Sequence, residues 1–235
     1  MGENLSCVIG IDEAGRGPLL GDMVIACVVV SKENLEKMVR IGVKDSKNLT
    51  PLERATLLKH IIENSLIILT TYVNPYEIDE YNLNELTLKK IKEMLSGISR
   101  LLPENTRIER ITVDMVKGYQ KFIPVLESIF PEAKIMFVEK ADVYYPEVSA
   151  ASIVAKVYRD VNLYSFKKIY GDFGSGYPTD PKTISWLKTL YLQQDSPPPI
   201  LRRTWGILER ITPHWYVKKR KQRTKPENRS ILDFI

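Results

Sequence analysis

The segment Cys7-Val8-Ile9-Gly10-Ile11-Asp12-Glu13-Ala14-Gly15-Arg16-Gly17-Pro18 constrains the fold more than any other stretch of the chain. A short apolar run, the length of a buried strand, stops at two adjacent carboxylates, and glycine, arginine and glycine follow at once. Asp12 and Glu13 therefore sit where the strand leaves the core. Neighbouring carboxylates repel one another unless a cation joins them, and hard divalent metals take oxygen ligands. The loop beside them can press its backbone against a ligand and carries one guanidinium. Acids of this kind next to an anion-recognising loop point to phosphodiester chemistry.

Five strands can be read along the chain: Leu5–Ile11, Asp22–Val30, Leu66–Val73, Ile108–Asp114 and Lys134–Glu139. A helix opens with Thr50 as N-cap, Pro51 in the first turn and Glu53 completing a capping box. Asn84 to Leu102 forms a second, with Leu88, Ile91, Leu95, Ile98 and Leu102 three and four apart. Tyr119–Ile129 has helical spacing too, and Pro124 must start or kink it. Beyond Pro146 only helices are read, over Pro146–Ile169 and Pro181–Leu192, the latter capped by Thr179 or Asp180. The order predicts an α/β domain with a mixed sheet and a helical C-terminal extension.

Gly15, Gly17 and Gly21 invite a dinucleotide-binding reading, but that fingerprint needs a helix directly afterwards to hold the pyrophosphate. The residues from Met23 to Val30 are instead rich in β-branched side chains and read as a strand. The glycines then belong to a loop between two antiparallel strands.

Charge is unevenly spread. The net charge is +5, yet the segment from Arg202 to Arg229 carries ten Lys or Arg against two acids, leaving −3 for the rest. A basic arm on a mildly acidic body suits a polyanionic partner, although charge alone fits a solvated tail equally well. No apolar stretch approaches the roughly 20 residues that span a bilayer, and the N-terminus lacks a basic-then-apolar signal pattern. Cys7 and Cys27 both fall in strands and read as buried thiols, so a reducing cytoplasm is expected.

Four acids stand at strand exits: Asp12 and Glu13, then Asp114, then Asp142. Each alone reads equally as a strand end or helix cap. Jointly, acids at three strand ends of one sheet converge on one edge, where α/β folds gather functional groups.

Asp-Glu-Ala-Gly-Arg-Gly-Pro at 12–18, Lys-Asp-Ser-Lys at 44–47, Asp114 and Lys-Ala-Asp at 140–142 together resemble ribonuclease HII, as do Ser-Ala-Ala-Ser-Ile-Val-Ala-Lys at 149–156 and Gly-Ser-Gly-Tyr-Pro-Thr-Asp-Pro-Lys-Thr at 174–183. The similarity is greatest to the archaeal branch and covers about Val8 to Trp205. It implies a ribonuclease H-like fold, with a mixed five-stranded sheet flanked by helices and a helical C-terminal extension. It also implies hydrolysis of the RNA strand of RNA–DNA hybrids, and cleavage at ribonucleotides embedded in duplex DNA. Asp12, Glu13, Asp114 and Asp142 become the metal-binding carboxylates for two Mg²⁺ or Mn²⁺ ions, giving 5′-phosphate and 3′-hydroxyl ends.

By the same resemblance, Gly15, Arg16 and Gly17 contact the 2′-hydroxyl, the group that separates RNA from DNA. Tyr177 packs on the deoxyribose that follows; read without the resemblance, it is a half-buried loop aromatic. Lys44, Ser46 and Lys47 fit phosphate contacts, as do Ser149, Ser152 and Lys156 on one helix, where the serines equally allow close packing on a sheet. Arg203-Thr204-Trp205 matches a further family block, structural or supporting the active-site loop. His60 and His214 read as structural.

At the C-terminus, Ile231, Phe234 and Ile235 fall at the spacing of a sliding-clamp-binding peptide, with Asn228 where such peptides carry glutamine and Ile235 where they carry an aromatic. The other reading of these residues is a tail folded back on its own domain. The expected organisation is a catalytic domain over 1–180, a helical extension over 181–217 and a basic tail over 218–235, in a monomer. Two other functions stand beside the leading one: a structure-specific DNA nuclease of the same superfamily, and a non-catalytic nucleic-acid-binding module tethered to a clamp.

Overall fold

The computed structural model describes residues 5–43 and 49–219. At its centre is a sheet of five strands: β1 (Leu5–Ala14), β2 (Met23–Ser31), β3 (Ile67–Val73), β4 (Thr106–Asp114) and β5 (Lys134–Val138). Their spatial order is β3-β2-β1-β4-β5. β2 runs antiparallel to both β1 and β3, whereas β4 runs parallel to β1 and to β5, so the sheet is mixed.

Side chains alternate along each strand, and both faces are covered. On one face Cys7, Ile9, Ile11, Ile25, Cys27 and Val29 pack against α4 (Leu83–Leu101) and α5 (Ile123–Ile129). On the other, Val8, Ala14, Val24, Ala26 and Val28 meet α7 (Pro146–Tyr170). The same cluster takes in Met38 from α1 (Lys32–Arg40) with Leu57 and Ile61 from α2 (Pro51–Asn64). The result is a three-layer helix–sheet–helix sandwich. Each fully buried Val, Leu or Ile in it stabilises the fold by about 1.5–3 kcal/mol over an exposed one.

Two details fix α7, which carries part of the candidate site. A Cβ at Gly10 of β1 would lie 2.0 Å from the Glu147 carbonyl oxygen, so only glycine lets the helix backbone come this close. The fully buried Glu147 side chain accepts from Arg110 Nε (2.9 Å) and Nη2 (2.7 Å) and from Thr112 Oγ1 (2.9 Å), pinning the start of α7 to β4.

A third cluster joins the C-terminal helices to the loop between β1 and β2. Leu19 and Leu20 of that loop pack with Leu163, Phe173, Leu187, Leu201, Leu208 and Trp215. They bring in α8 (Pro181–Gln193) and α9 (Leu208–Ile211). Leu20 bridges Leu201, and the Arg202 amide donates to Leu19 O (2.9 Å).

Most elements lie where the sequence places them. The Thr50–Glu53 capping box forms in both directions, and Asp180 caps α8. Three differences have physical causes. β1 runs on to Ala14 because Asp12 and Glu13 stay paired with Ala26 and Ile25 of β2, so both acids lie inside the strand and not past its end. The segment read as one helix over Tyr119–Ile129 breaks at Phe122 into a 3₁₀ turn (Tyr119–Lys121) and α5, since Pro124 starts a helix rather than continuing one. Short helices at Lys32–Arg40, at Pro75–Glu80 (α3) and at Ala141–Tyr144 (α6) carry too few turns to stand out as periodicity. Cys7 and Cys27 are buried free thiols, and no described helix is long and apolar enough to cross a membrane.

Candidate active site

The parallel pairing of β1 and β4 is in register through Ile11 and Val113, so Asp12 and Asp114 come next on adjacent strands. Alternation points Asp12 toward α7 and Glu13 toward α4. Asp12 is buried, hydrogen-bonded to the Ser152 side chain on α7, and accepts from the Glu13 amide at 2.8 Å. Glu13 Oε1 pairs with Arg16 Nη1 at 2.7 Å, and the same guanidinium reaches Thr87 and Asn84 on α4.

Asp114 Oδ1 accepts from the Ala141 amide at 2.9 Å, which ties the end of β4 to the start of α6, where the buried Asp142 stands. The residue before that helix, Lys140, holds a left-handed backbone (φ 55°), a conformation costing an L-residue roughly 1–2 kcal/mol. Asp142 thus stands four residues after β5, next in sequence to the amide that binds Asp114.

The electrostatics match this crowding. Burial pushes Asp12 from an ordinary 3.8 up to about 7, against the hydrogen bonds from Ser152 and the Glu13 amide, and the Asp114 and Glu13 carboxylates add to the rise. Burial also raises Glu13, while Arg16 draws it back. These donors are all carboxylate oxygens, the set a hard divalent cation prefers, and such a cation relieves both burial cost and mutual repulsion. Among the described residues, no three His, Cys, Asp or Glu side chains are already gathered closely enough to hold a metal ion. Arg16 instead provides the positive charge at Glu13.

The Gly15-Arg16-Gly17 loop follows directly. Gly15 has φ 88°, and a Cβ there would lie 2.4 Å from Arg159 Nε and 2.9 Å from Asp22 O, so its glycine is required by internal packing. At Gly17 a Cβ would meet only Tyr177 Cε1 among the described residues, at 3.6 Å, so Tyr177 borders the loop. The Leu19 amide donates to Gly176 O (2.7 Å), coupling the two loops. Tyr177 is 38% exposed, and the Arg159 guanidinium lies 5.5 Å from its ring centroid.

Other expected contacts fall elsewhere. Ser149 and Ser152 are buried between α7 and the sheet, Ser152 against Asp12, so neither is placed on a surface that a phosphate meets. Lys156 is half-buried one turn further along α7. Lys44, Ser46 and Lys47 lie outside the described residues, as do Ile231, Phe234 and Ile235. Arg202, counted in the basic arm, is fully buried and donates to main-chain carbonyls, and Arg203 Nε donates to Trp215 O (2.8 Å). These two are structural cations rather than part of a solvated arm.

The Ribonuclease HII family model matches residues 9–207. The chain belongs to the ribonuclease HII family. A ribonuclease HII from Saccharolobus solfataricus is 45% identical over 216 residues, covering 92% of this chain and 98% of the relative. The crystal structure of ribonuclease H2 from Pyrococcus horikoshii superposes with a TM-score of 0.78 at 40% identity, covering 89% of this chain and 98% of that one. The ribonuclease HII solved in complex with PCNA from Archaeoglobus fulgidus gives a TM-score of 0.73 at 33% identity, covering 86% and 94% of the two chains. The family match takes in most of each of the three core clusters and both loops beside the carboxylates.

Sequence reasoning missed Arg159, Arg202 and Asp79. Arg159 is buried, and its Nε and Nη2 have no hydrogen-bond partner among the described residues. Asp79 accepts from the amides of Arg203 (2.7 Å) and Thr204 (3.0 Å) and from Thr204 Oγ1 (2.7 Å), anchoring the Arg203-Thr204-Trp205 block to α3. In sequence all three read as ordinary surface charges; only tertiary packing marks them.

Proposed function

We propose that this ribonuclease HII cleaves the RNA strand of RNA–DNA hybrids, and cuts at single ribonucleotides embedded in duplex DNA, leaving 5′-phosphate and 3′-hydroxyl ends. The observation that carries the reading is the juxtaposition of the Asp12–Asp114 strand pair with the Gly15–Gly17 loop and Tyr177. Acids that suit divalent cations lie on one side of a bound nucleotide, and a loop that can test its sugar lies on the other.

Asp12, Glu13, Asp114 and Asp142 would hold two Mg²⁺ or Mn²⁺ ions. When bound, such ions activate the attacking water and stabilise the leaving 3′ oxygen. The chain's own residues supply the rest. Ser152 orients the Asp12 carboxylate by hydrogen bond, and the Ala141 amide orients Asp114. Arg16 balances Glu13 until a cation takes that role. The main chain of the Gly15–Gly17 loop contacts the 2′-hydroxyl, and Tyr177 packs against the sugar on its 3′ side. Lys44, Ser46, Lys47 and Lys156 contact flanking phosphates in this reading.

The protein would work as a cytoplasmic monomer, composed of a catalytic domain over 1–180, a helical extension over 181–217 and a basic tail over 218–235. A relative has been solved in complex with PCNA, which supports a sliding clamp as partner, docked through Ile231, Phe234 and Ile235. The test is incubation of a labelled RNA–DNA hybrid and a matched all-DNA duplex with Mg²⁺, Mn²⁺ or chelator. Metal-dependent cutting of the hybrid alone is expected. Cutting of the DNA duplex would favour a structure-specific DNA nuclease, and binding without any product would favour a tethered binding module.

A further inference from the structure

The fully buried Arg202 spreads its guanidinium beneath the Gly15-Arg16-Gly17 loop. Nη2 donates to Gly15 O (2.7 Å), Nη1 to Arg16 O (3.1 Å) and Nε to Gly21 O (2.9 Å). Three residues on, Trp205 Nε1 donates to Gly17 O (3.0 Å), and its indole lies against Arg202, with Cζ 5.4 Å from the ring centroid. Every carbonyl of the three-residue loop is thus engaged by the C-terminal segment.

A carbonyl held in place fixes more than itself. The peptide unit is planar, and none among the described residues is cis, so each N–H points opposite the preceding C=O. Holding Gly15 O therefore aims the Arg16 amide away from the buried guanidinium, and holding Arg16 O does the same for the Gly17 amide. The Gly17 carbonyl belongs to the peptide bond with Pro18, which has no N–H to aim. Arginine suits this task because its donors form a rigid planar fork, whereas the single nitrogen of lysine cannot meet three carbonyls in that geometry. The fork is itself held from behind: the Arg202 amide bonds Leu19 O, and Asp79 anchors Arg203 and Thr204.

We propose that Arg202, seconded by Trp205, is a positioning residue for ribonucleotide specificity, setting the directions in which the Arg16 and Gly17 amides meet the substrate's 2′-hydroxyl. The inference rests on the proposed function. It assigns to the C-terminal extension a part in reading the sugar, although no side chain of that extension touches it.

The experiment compares wild type, Arg202→Lys and Trp205→Phe in the full chain. It measures kcat/KM on duplex DNA carrying one ribonucleotide, affinity for the same duplex in all-DNA form, and Tm. Arg202→Lys keeps the charge but loses the fork; kcat/KM is expected to fall at least tenfold, with all-DNA affinity unchanged, since hydrogen bonds to a charged donor have that strength. Trp205→Phe, the milder change, should fall about threefold. If Arg202→Lys fails to fold, Trp205→Phe alone decides by the same criterion. Unaltered kcat/KM in the folded variants, or equal losses on both duplexes, would overturn the proposal. A wild type that cleaves no ribonucleotide-containing duplex would remove the proposed function itself, and this inference with it.

Discussion

Asp12→Asn should leave the protein inactive yet more stable, by an amount the structure sets. The carboxyl is buried beside two other acids and titrates at about 7, against 3.8 for an ordinary aspartate. At about 1.4 kcal/mol per tenfold change in an ionisation constant, ionised Asp12 opposes folding by about 4 kcal/mol when no cation is bound. The sign follows from proton linkage. An acid raised in the folded state binds its proton more tightly there, so stability declines as pH climbs from about 4 to about 7 and then levels off. Asparagine has nearly the same shape and no charge to desolvate. In chelator the variant should therefore exceed wild type by about 4 kcal/mol at pH 8, shrinking to about 2 kcal/mol at pH 5. For a chain of this size, the larger figure corresponds to a Tm gain on the order of 10 °C. Thermal melts of both proteins at the two pH values, in metal-free buffer, read this directly. Equal Tm values at pH 8, or the same difference at both pH values, would refute the electrostatic account of the site.

Two further outcomes test the frame that holds the site. Gly10→Ala places a methyl group 2.0 Å from a helix carbonyl that cannot move alone, and should cost about 3 kcal/mol, seen as a Tm drop of about 6–12 °C. An unchanged Tm would mean that α7 does not pack on β1 as described. Deleting Ile231–Ile235 should weaken affinity for a sliding clamp at least tenfold in a binding titration and spare cleavage of free hybrid, since those residues lie beyond the matched region.

Much of this architecture was legible in the sequence because the signals were local. The β-branched run from Met23 to Val30 identified β2 and so removed the dinucleotide reading of the glycine loop. The box at Thr50–Glu53 fixed a helix start from four residues. Asp12 and Asp114 could be brought side by side because each follows a recognisable strand, and parallel pairing of β1 with β4 sets the two next to each other. What escaped was set by contacts distant in sequence. Gly10 reads as one more small residue in a strand until α7 is laid across it. Ser149 and Ser152 share a helical face, but which way that face points depends on how Glu147 docks onto β4. Arg202 looks like the start of a basic tail, and its burial against three carbonyls has no signature within its own segment. The Gly15–Gly17 loop stands out in the sequence as a glycine-rich turn beside two acids, while the scaffold that shapes it comes from almost 190 residues away in the chain.

The central claim is that the carboxylate edge and the glycine loop act together on one nucleotide. One measurement tests it most directly: a duplex DNA labelled at one end, carrying a single ribonucleotide, incubated with Mg²⁺ or Mn²⁺ and with chelator, its products mapped to the nucleotide. The account predicts a single cut at the ribonucleotide, a 5′-phosphate on the downstream product, and no cut in chelator or in the all-DNA control. Cleavage that ignores the position of the ribonucleotide, or that persists without divalent metal, would contradict it.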